Sequence, residues 1–180
     1  MRKIVNSTYV TLDGVIADPQ LWSLEYFDAD AGEFALEQLR RSDALLMGRK
    51  TYEGFATAWP GRSGDEFSDT MNKVAKHVAS TTLTTPEWNN SSVLDGDLVT
   101  AVRELKSQPG KDILMYGYGP VARTLVQHGL LDELRLWIHP VIRGEGEQLF
   151  AAGVSGAFGG VETRTFASGS VVLILTDPKS

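Results

Sequence analysis

The sequence predicts an α/β protein in which a mixed β-sheet is covered by helices. Apolar runs of strand length alternate with segments of helical periodicity through most of the chain, a pattern typical of parallel β-α-β units. The last two strand-like segments instead flank the turn residues Ser168 and Gly169, which predicts an antiparallel hairpin. No internal repeat or linker-like tract divides the 180 residues, so we expect one domain over residues 1–180.

The first half of the chain is expected to supply strands that end in polar or glycine-containing turns. The first strand leads to the turn signal Asp13-Gly14, and an aromatic segment then precedes a helix. Acidic residues suit the positive end of that helix, and Phe34, Leu36 and Leu39 form its apolar side. The predicted elements are a strand at 3–10, a helix from near Asp30, a strand at 44–47 that meets a helix start at 48–52, a loop at 54–64 and a strand at 76–80.

The second half is expected to continue this alternation and then to end in paired strands. In the strand at 134–138, Leu134, Leu136 and Ile138 share one face. His139 follows on the opposite face, which we expect to be an interface or exposed. The other predicted elements are a minor strand at 92–94, a helix at 98–106, a strand and helix within 113–128, and hairpin strands at 163–166 and 171–175.

Composition and charge exclude several function classes. The net charge is −6 and no block of Lys or Arg occurs, so nucleic acid and anionic membranes are poor candidate partners. The absence of cysteine excludes disulfides, thiol catalysis and thiolate metal sites. The N-terminus becomes polar too soon for a signal peptide, and no apolar run has membrane-spanning length. We therefore expect a cytoplasmic enzyme or binding protein.

The segment 113–128 predicts a phosphate-binding turn. A short apolar run ends in Gly117-Tyr118-Gly119, and Pro120 then opens a helical pattern. Glycines let backbone N–H groups approach a ligand, and a helix N-terminus adds about half a positive charge. The spacing to Ala122 matches the loose dinucleotide pattern G-x-G-x-x-A, although a plain strand-to-helix turn gives the same residues. A Rossmann topology is not expected, because the turn comes late and the acidic residues after it come too early.

Two further polar clusters follow predicted strands, and ligands of α/β sheets bind beyond the carboxyl ends of strands. Arg49 offers a planar cation suited to phosphate, and Thr51 offers a hydroxyl at a helix start. Each residue alone could equally be a surface cation or a helix cap. Their recurrence favours one nucleotide lying across the sheet, contacted by the clusters Gly48-Arg49-Lys50-Thr51, Ser80-Thr81-Thr82 and Gly117-Tyr118-Gly119.

Several motifs resemble those of a known family. The run Met47-Gly48-Arg49-Lys50-Thr51-Tyr52 is similar to the M-G-R-x-T-[WY] signature of the dihydrofolate reductase fold. The run from Thr11 to Ile16, and the run from Gly129 to Leu136 with its continuation to Phe150, resemble a more specific group. That group comprises the C-terminal reductase domain of the bifunctional riboflavin-biosynthesis deaminase/reductase and its stand-alone relatives. The resemblance covers residues 3–175.

The resemblance implies a three-layer dihydrofolate reductase-like fold, with a mixed, mainly parallel eight-stranded sheet and helices on both faces. It also implies an NADPH-dependent reductase, usually a homodimer, acting on a small molecule such as 5-amino-6-(5-phosphoribosylamino)uracil. By position, Arg49 and Thr51 at the Gly48 junction would meet the 2′-phosphate and pyrophosphate, and Ser80 and Thr81 would lie by the adenosine half. The remaining cofactor contacts implied by position are Gly117, Tyr118, Gly119, Pro120 and Val121 around the pyrophosphate, and Thr8, Tyr9 and Ile16 beside the nicotinamide.

The proton donor is harder to predict. Dihydrofolate reductases keep an acid early in the first helix, but the matching position here is Gly32. Asp30 and Glu33 are neighbours that could substitute, and Asp13 is a further candidate, although helix-start acidity and an Asp-Gly turn explain all three equally well. For the substrate we expect the aromatic residues Trp22, Tyr26 and Trp59 to line or cover the cleft, or simply to pack; Arg62 and Arg143 are candidates for a substrate phosphate.

Two alternatives remain open from the sequence. The missing early-helix acid favours a dimeric nucleotide-binding module without turnover, and true dihydrofolate reduction is a further possibility. The three histidines share no motif spacing with carboxylates, so no metal site is predicted.

Overall fold

The computed structural model describes residues 1–150 and 156–177, and eight strands within them form one sheet. The strands are β1 (Ile4–Thr11), β2 (Ser42–Gly48), β3 (Ala75–Ala79), β4 (Ser91–Val93), β5 (Asp112–Tyr116), β6 (Glu133–His139), β7 (Gly160–Thr165) and β8 (Val171–Thr176). The helices are α1 (Ala29–Arg40), α2 (Arg49–Ala58), α3 (Glu66–Lys73), α4 (Leu98–Ser107) and α5 (Pro120–Gln127), with short 3₁₀ turns at Pro19–Leu21 and Leu24–Tyr26.

The sheet is mixed and mainly parallel, in the order β4-β3-β2-β5-β1-β6-β8-β7. Strands β1 to β6 all run in one direction, while β8 is antiparallel to β6 and β7 is antiparallel to β8. The predicted α/β class with a dihydrofolate reductase-like sheet is therefore confirmed. Because the parallel strands share a direction, the carboxyl ends of β1, β2, β3 and β5 lie side by side at one end of the sheet. We call this end the carboxyl edge.

The sheet separates two apolar layers, because successive side chains of a strand point to opposite faces. On β1, Ile4 and Val10 pack with residues of α4 and α5, including Val102 and Leu125. Val5 points to the other face and packs with Leu39 of α1, Tyr52 of α2 and Met71 of α3. Helices thus cover both faces, and α1 and α2 lie on the same one.

The predicted loop at 54–64 is wrong in its first part, since α2 continues through Gly54 to Ala58. A glycine inside a helix costs about 1 kcal/mol relative to alanine, but the buried Tyr52 and the half-buried Phe55 anchor this helix. The helix α3 was not predicted either. It begins where Asp65 accepts a hydrogen bond from the Ser68 backbone N–H (2.9 Å).

Strand β6 is buried on both faces, so the expectation that His139 lies at an interface or is exposed is wrong. Leu134 and Leu136 pack under α5, whereas Trp137 packs against Ala31 and Ala35 of α1. His139 is only 1% exposed. An alternating pattern predicts two chemically different faces, but only the packing of helices decides whether both are covered. No helix in residues 1–150 and 156–177 is long and apolar enough to cross a lipid bilayer.

Candidate functional site

The glycine turn after β5 and the start of α2 lie side by side at the carboxyl edge of the sheet. A side-chain carbon built on Gly48 would lie 3.3 Å from Val121 Cγ2, at the start of α5. One built on Gly117 would lie 3.7 Å from the Thr51 hydroxyl. The two strand–glycine–helix junctions predicted from the sequence therefore meet at one place.

Both helices that begin there lack a side-chain cap. In α1, α3 and α4, an aspartate (Asp28, Asp65 or Asp97) accepts a hydrogen bond from a backbone N–H of the first turn. In α2 and α5 the capping positions are Gly48 and Gly119, which have no side chain to offer. Their first-turn N–H groups stay available, and together with the helix dipoles they form a positive region suited to an anion.

Arg49 adds a cation to this region and connects it to the third polar cluster. Its side chain is 50% exposed; Nε donates to Glu53 Oε1 (2.6 Å) and Nη1 donates to Thr82 Oγ1 (2.5 Å). The Ser80 hydroxyl accepts hydrogen bonds from the backbone N–H groups of Thr82 (3.2 Å) and Leu83 (3.0 Å), while Thr81 is exposed. Ser80 therefore shapes the loop, and Arg49 reaches across to it.

Asn6 supports the glycine turn, and sequence reasoning missed it. Its amide Nδ2 donates to the Gly117 carbonyl (2.7 Å), and its Oδ1 accepts from the Thr8 hydroxyl (2.7 Å). Gly117 itself has φ +76°, a conformation that favours glycine. The sequence signal for it is weak, because Asn6 is one of several polar residues in β1; its burial, which implies a hydrogen-bond partner, is known only from the structure.

The remaining predicted cofactor contacts divide between backbone and side chain. Tyr118 is buried in the core with its ring against Phe150, so it offers a ligand only its backbone. Pro120 is exposed and Val121 half-buried at the start of α5. Ile16 packs against the apolar layer that lies between the sheet and helices α4 and α5. Its backbone N–H donates to the Glu147 carbonyl (2.8 Å).

The predicted acids do not converge on the turn. Asp13 accepts hydrogen bonds from the Thr11 hydroxyl (2.6 Å) and from the backbone N–H of Gly144 (2.7 Å), and these bonds lower its pKa to about 2. Asp30 is exposed, and Glu33 forms an ion pair with Arg40 (2.7 Å) on the outer side of α1. These contacts favour structural roles for Asp13 and Glu33.

The predicted substrate aromatics fall into two groups. Trp22 and Tyr26 surround His139, with ring centroids 5.2 and 6.0 Å from its ring. Trp59 lies elsewhere, in a row of half-buried rings that we call the aromatic strip, and it contacts Phe55 (6.2 Å) and Phe67 (5.3 Å). The aromatic strip consists of Phe67, Trp59, Phe55 and Tyr116, whose rings contact one another in that order.

The aromatic strip lies on the face of the sheet that carries α1 and α2, and Tyr116 directly precedes Gly117. A planar ligand held there would therefore be next to a nucleotide bound at the turn. Of the two predicted phosphate arginines, Arg62 contacts the strip, since its guanidinium lies over the Trp59 ring (4.9 Å). Arg143 lies elsewhere, where its backbone N–H donates to Asp13 (3.2 Å).

A cavity of about 1120 Å³ lies between α2, α3 and the segment 83–90, and the glycine turn does not line it. The Asn72 side chain in its wall is engaged by the protein itself: its Oδ1 accepts from Trp88 Nε1 (2.8 Å), and its Nδ2 donates to the carbonyls of Trp59 and Arg62 (3.1 and 3.0 Å). We therefore place the candidate site at the strand ends. Within the described ranges, no group of three His, Asp or Glu side chains is arranged to hold a metal ion.

The sequence pattern of one protein family, the RibD C-terminal domain, matches residues 2–172. The chain belongs to this family. Its motifs at Gly48–Thr51 and Gly117–Gly119 therefore lie at the carboxyl edge of the sheet of a RibD C-terminal domain.

The chain is also similar in sequence to individual proteins and in fold to solved structures. The uncharacterized protein YyaP of Bacillus subtilis strain 168 is 32% identical over 179 residues, covering 96% of this chain and 94% of that protein. A putative riboflavin biosynthesis protein from Shewanella sp. PV-4 superimposes with a TM-score of 0.72 at 24% identity, covering 98% of both chains. A diaminohydroxyphosphoribosylaminopyrimidine deaminase/5-amino-6-(5-phosphoribosylamino)uracil reductase from Thermotoga maritima superimposes with a TM-score of 0.67 at 18% identity. This chain is covered to 98% and spans 56% of that longer protein.

Proposed function

We propose that this protein is an NADPH-dependent reductase of a small heterocyclic substrate, similar in reaction to 5-amino-6-(5-phosphoribosylamino)uracil reductase. The observation that carries the proposal is the meeting of two helix N-termini without side-chain caps beside the exposed Arg49. Membership of the RibD C-terminal domain family supports a reductase. As parts of the same proposal, the protein acts as a homodimer in the cytoplasm.

The residues at the turn fit a dinucleotide phosphate. A side-chain carbon at Gly119 would meet no atom within 4 Å, so space is open in front of the N-terminus of α5 for a pyrophosphate. Arg49 is exposed enough to exchange Glu53 or Thr82 for the 2′-phosphate, and a guanidinium binds phosphate through paired N–H groups. Thr51 offers its hydroxyl between the two helix starts.

The bound nicotinamide would supply the hydride, and the protein would supply position and exclusion of water. Thr8, braced by Asn6, and Ile16 lie on the α5 face, whereas Tyr9 points to the face of the aromatic strip. The nicotinamide would then lie beyond the carboxyl end of β1, beside the turn. The half-buried rings of the strip would stack on a planar heterocycle and keep water from the reacting carbon.

Titration of NADPH and NADH by calorimetry tests the cofactor assignment. Arg49→Ala should weaken NADPH binding by about 1.5–3 kcal/mol, roughly tenfold or more, and leave NADH binding unchanged because NADH lacks the 2′-phosphate. Arg164→Ala is the matched control, since Arg164 is exposed on β7, at the far edge of the sheet. Equal affinities of the wild type for NADPH and NADH would contradict the proposal.

Turnover separates the reductase from a silent nucleotide-binding module. NADPH consumption is measured with pyrimidines, pterins, quinones and dihydrofolate. Oxidation with one of the first three classes supports the proposal, and tight NADPH binding without oxidation of any of them supports the silent module. Dihydrofolate reduction is not favoured by the geometry, because the buried residues of α1 are Ala31, Ala35, Gln38 and Leu39, none of them acidic.

A further inference from the structure

Strand β7 (Gly160–Thr165) is an outermost strand of the sheet, bordered by β8 alone among the described strands. Its residues 161–165 are exposed, and Val161 is 62% exposed. The outermost strand on the opposite side, β4, has only three residues. By contrast, β7 pairs with β8 in an unbroken register and contains no Pro or Lys, two residues that commonly block pairing of an edge strand. The free side of β7 is therefore able to accept a further strand.

Alternate residues of β7 direct their backbone groups away from the sheet. At the hairpin end, the Phe166 N–H donates to the Ser170 carbonyl (3.0 Å). Hydrogen-bonded and non-hydrogen-bonded pairs alternate along an antiparallel ladder, so the even-numbered residues of β7 bond to β8. The odd-numbered residues, Val161, Thr163 and Thr165, direct their N–H and C=O groups outward, where no described strand meets them.

The sequence of β7 is complementary to itself when two copies pair antiparallel about Thr163. Glu162 of one copy then lies opposite Arg164 of the other, and Val161 lies opposite Thr165, so the outward backbone groups of all three odd-numbered residues find partners. The neighbouring registers, centred on Glu162 or on Arg164, place that charge opposite its own copy. Like charges directly opposite each other are unfavourable, so the charges select the register centred on Thr163.

We propose that β7 is a self-association surface, to which a second copy of this chain adds its own β7 about a twofold axis at Thr163. Two eight-stranded sheets then form one continuous sheet across the two copies. This inference rests on the homodimer of the proposed function and assigns its interface. The partner is identified by the charge pattern of β7, which matches an antiparallel copy of itself.

A single introduced thiol reports the register, because the sequence contains no cysteine. Opposite residues of a hydrogen-bonded antiparallel pair have Cα atoms about 5.5 Å apart, a distance that a disulfide bridges. Thr163→Cys should therefore form a disulfide-linked dimer under mild oxidation of the full-length protein, measured by non-reducing gel electrophoresis.

Thr165→Cys is the matched control, since Thr165 is also exposed on β7. In the proposed dimer it lies opposite Val161, so its counterpart in the second copy is four residues further along. At about 3.4 Å per residue, the two thiol positions are about 14 Å apart and no disulfide should form.

Reversal of the charges tests the same surface without cross-linking. Glu162→Arg places arginine opposite arginine twice in each dimer, and the dimer Kd measured by sedimentation equilibrium should rise by about tenfold or more. Adding Arg164→Glu restores opposite charges, so the double variant should return to within about threefold of the wild-type Kd. Glu104→Arg, on the exposed side of α4, makes the same charge change and should leave the Kd unaltered.

A monomeric wild type would overturn the inference and leave β7 free for a strand of a different protein. Cross-linking of Thr163→Cys no faster than that of Thr165→Cys would also overturn it, as would an unchanged dimer Kd in Glu162→Arg or a double variant that stays equally weak. Calorimetric titration of NADPH is read separately. Because β6 and β8 lie between β7 and the strands of the glycine turn, all these variants should bind NADPH like the wild type. Failure of the wild type to bind NADPH would refute the proposed function and leave the β7 results to decide the interface.

Discussion

Three glycine substitutions separate a structural glycine turn from a ligand-binding one. Gly119 has φ −95° and ψ −163°, which any residue adopts, and an added methyl group would meet no protein atom within 4 Å. Gly119→Ala should therefore lower the free energy of unfolding by less than about 1 kcal/mol. That methyl group would nevertheless stand in front of the first-turn N–H groups of α5. Loss of their hydrogen bonds to a charged pyrophosphate should cost about 1.5–3 kcal/mol of NADPH binding, roughly ten- to hundredfold in Kd.

Gly117→Ala should act on both quantities. Its φ of +76° costs about 1–2 kcal/mol for a residue with a side chain, while the 3.7 Å contact with Thr51 is ordinary packing. Gly54→Ala is the control: it lies within α2 in open space, so it should raise stability by about 0.5–1 kcal/mol without affecting NADPH. Unfolding in urea and calorimetric titration of NADPH supply the two numbers for each variant. If Gly119→Ala binds NADPH as tightly as the wild type, the pyrophosphate does not lie at this helix N-terminus.

Two further predictions concern stability away from the nucleotide. Asp97 accepts a hydrogen bond from the Thr100 N–H (3.0 Å) at the start of α4. Asp97→Ala should therefore lower the free energy of unfolding by about 1 kcal/mol and leave the Kd for NADPH unchanged. A changed Kd would contradict the placement of α4 outside the site. Burial lowers the pKa of His139, so its neutral form is favoured in the folded state and the wild type should lose stability as pH falls below about 6.5. His139→Gln should lose less stability between pH 7 and pH 5, measured by urea unfolding. Parallel curves for His139→Gln and wild type would show that this ring is not buried as described.

The fold was predictable wherever periodicity was strong. The helix α4 and the β7–β8 hairpin follow from leucine spacing and turn residues that act over a few positions. The course of the chain from Gly54 to Lys73 was not, because Gly54 and the Trp59-Pro60-Gly61 run indicate a loop by local preference. Burial of Tyr52 and Met71 outweighs that preference, and burial is a property of the assembled sheet.

The candidate site was predictable in part for a similar reason. A glycine before a helix and an arginine after it are local signals, and parallel strands bring such ends to one edge. Whether an acid near a helix start faces the substrate is not local. Glu33 turns toward Arg40 and Asp13 toward the backbone of Gly144, and these partners are distant in sequence or on another turn of the helix.

The sequence by itself determined the alternation of strands and helices, the two glycine junctions and the likeness to one reductase family. Those features depend on neighbouring residues, whose preferences act before the chain is packed. Only the tertiary structure decided that Thr51 lies against Gly117 and that Asn6 braces the turn. Each of these joins segments from different strands or helices. Their meeting depends on how the whole sheet buries its apolar faces, which no short stretch of sequence specifies.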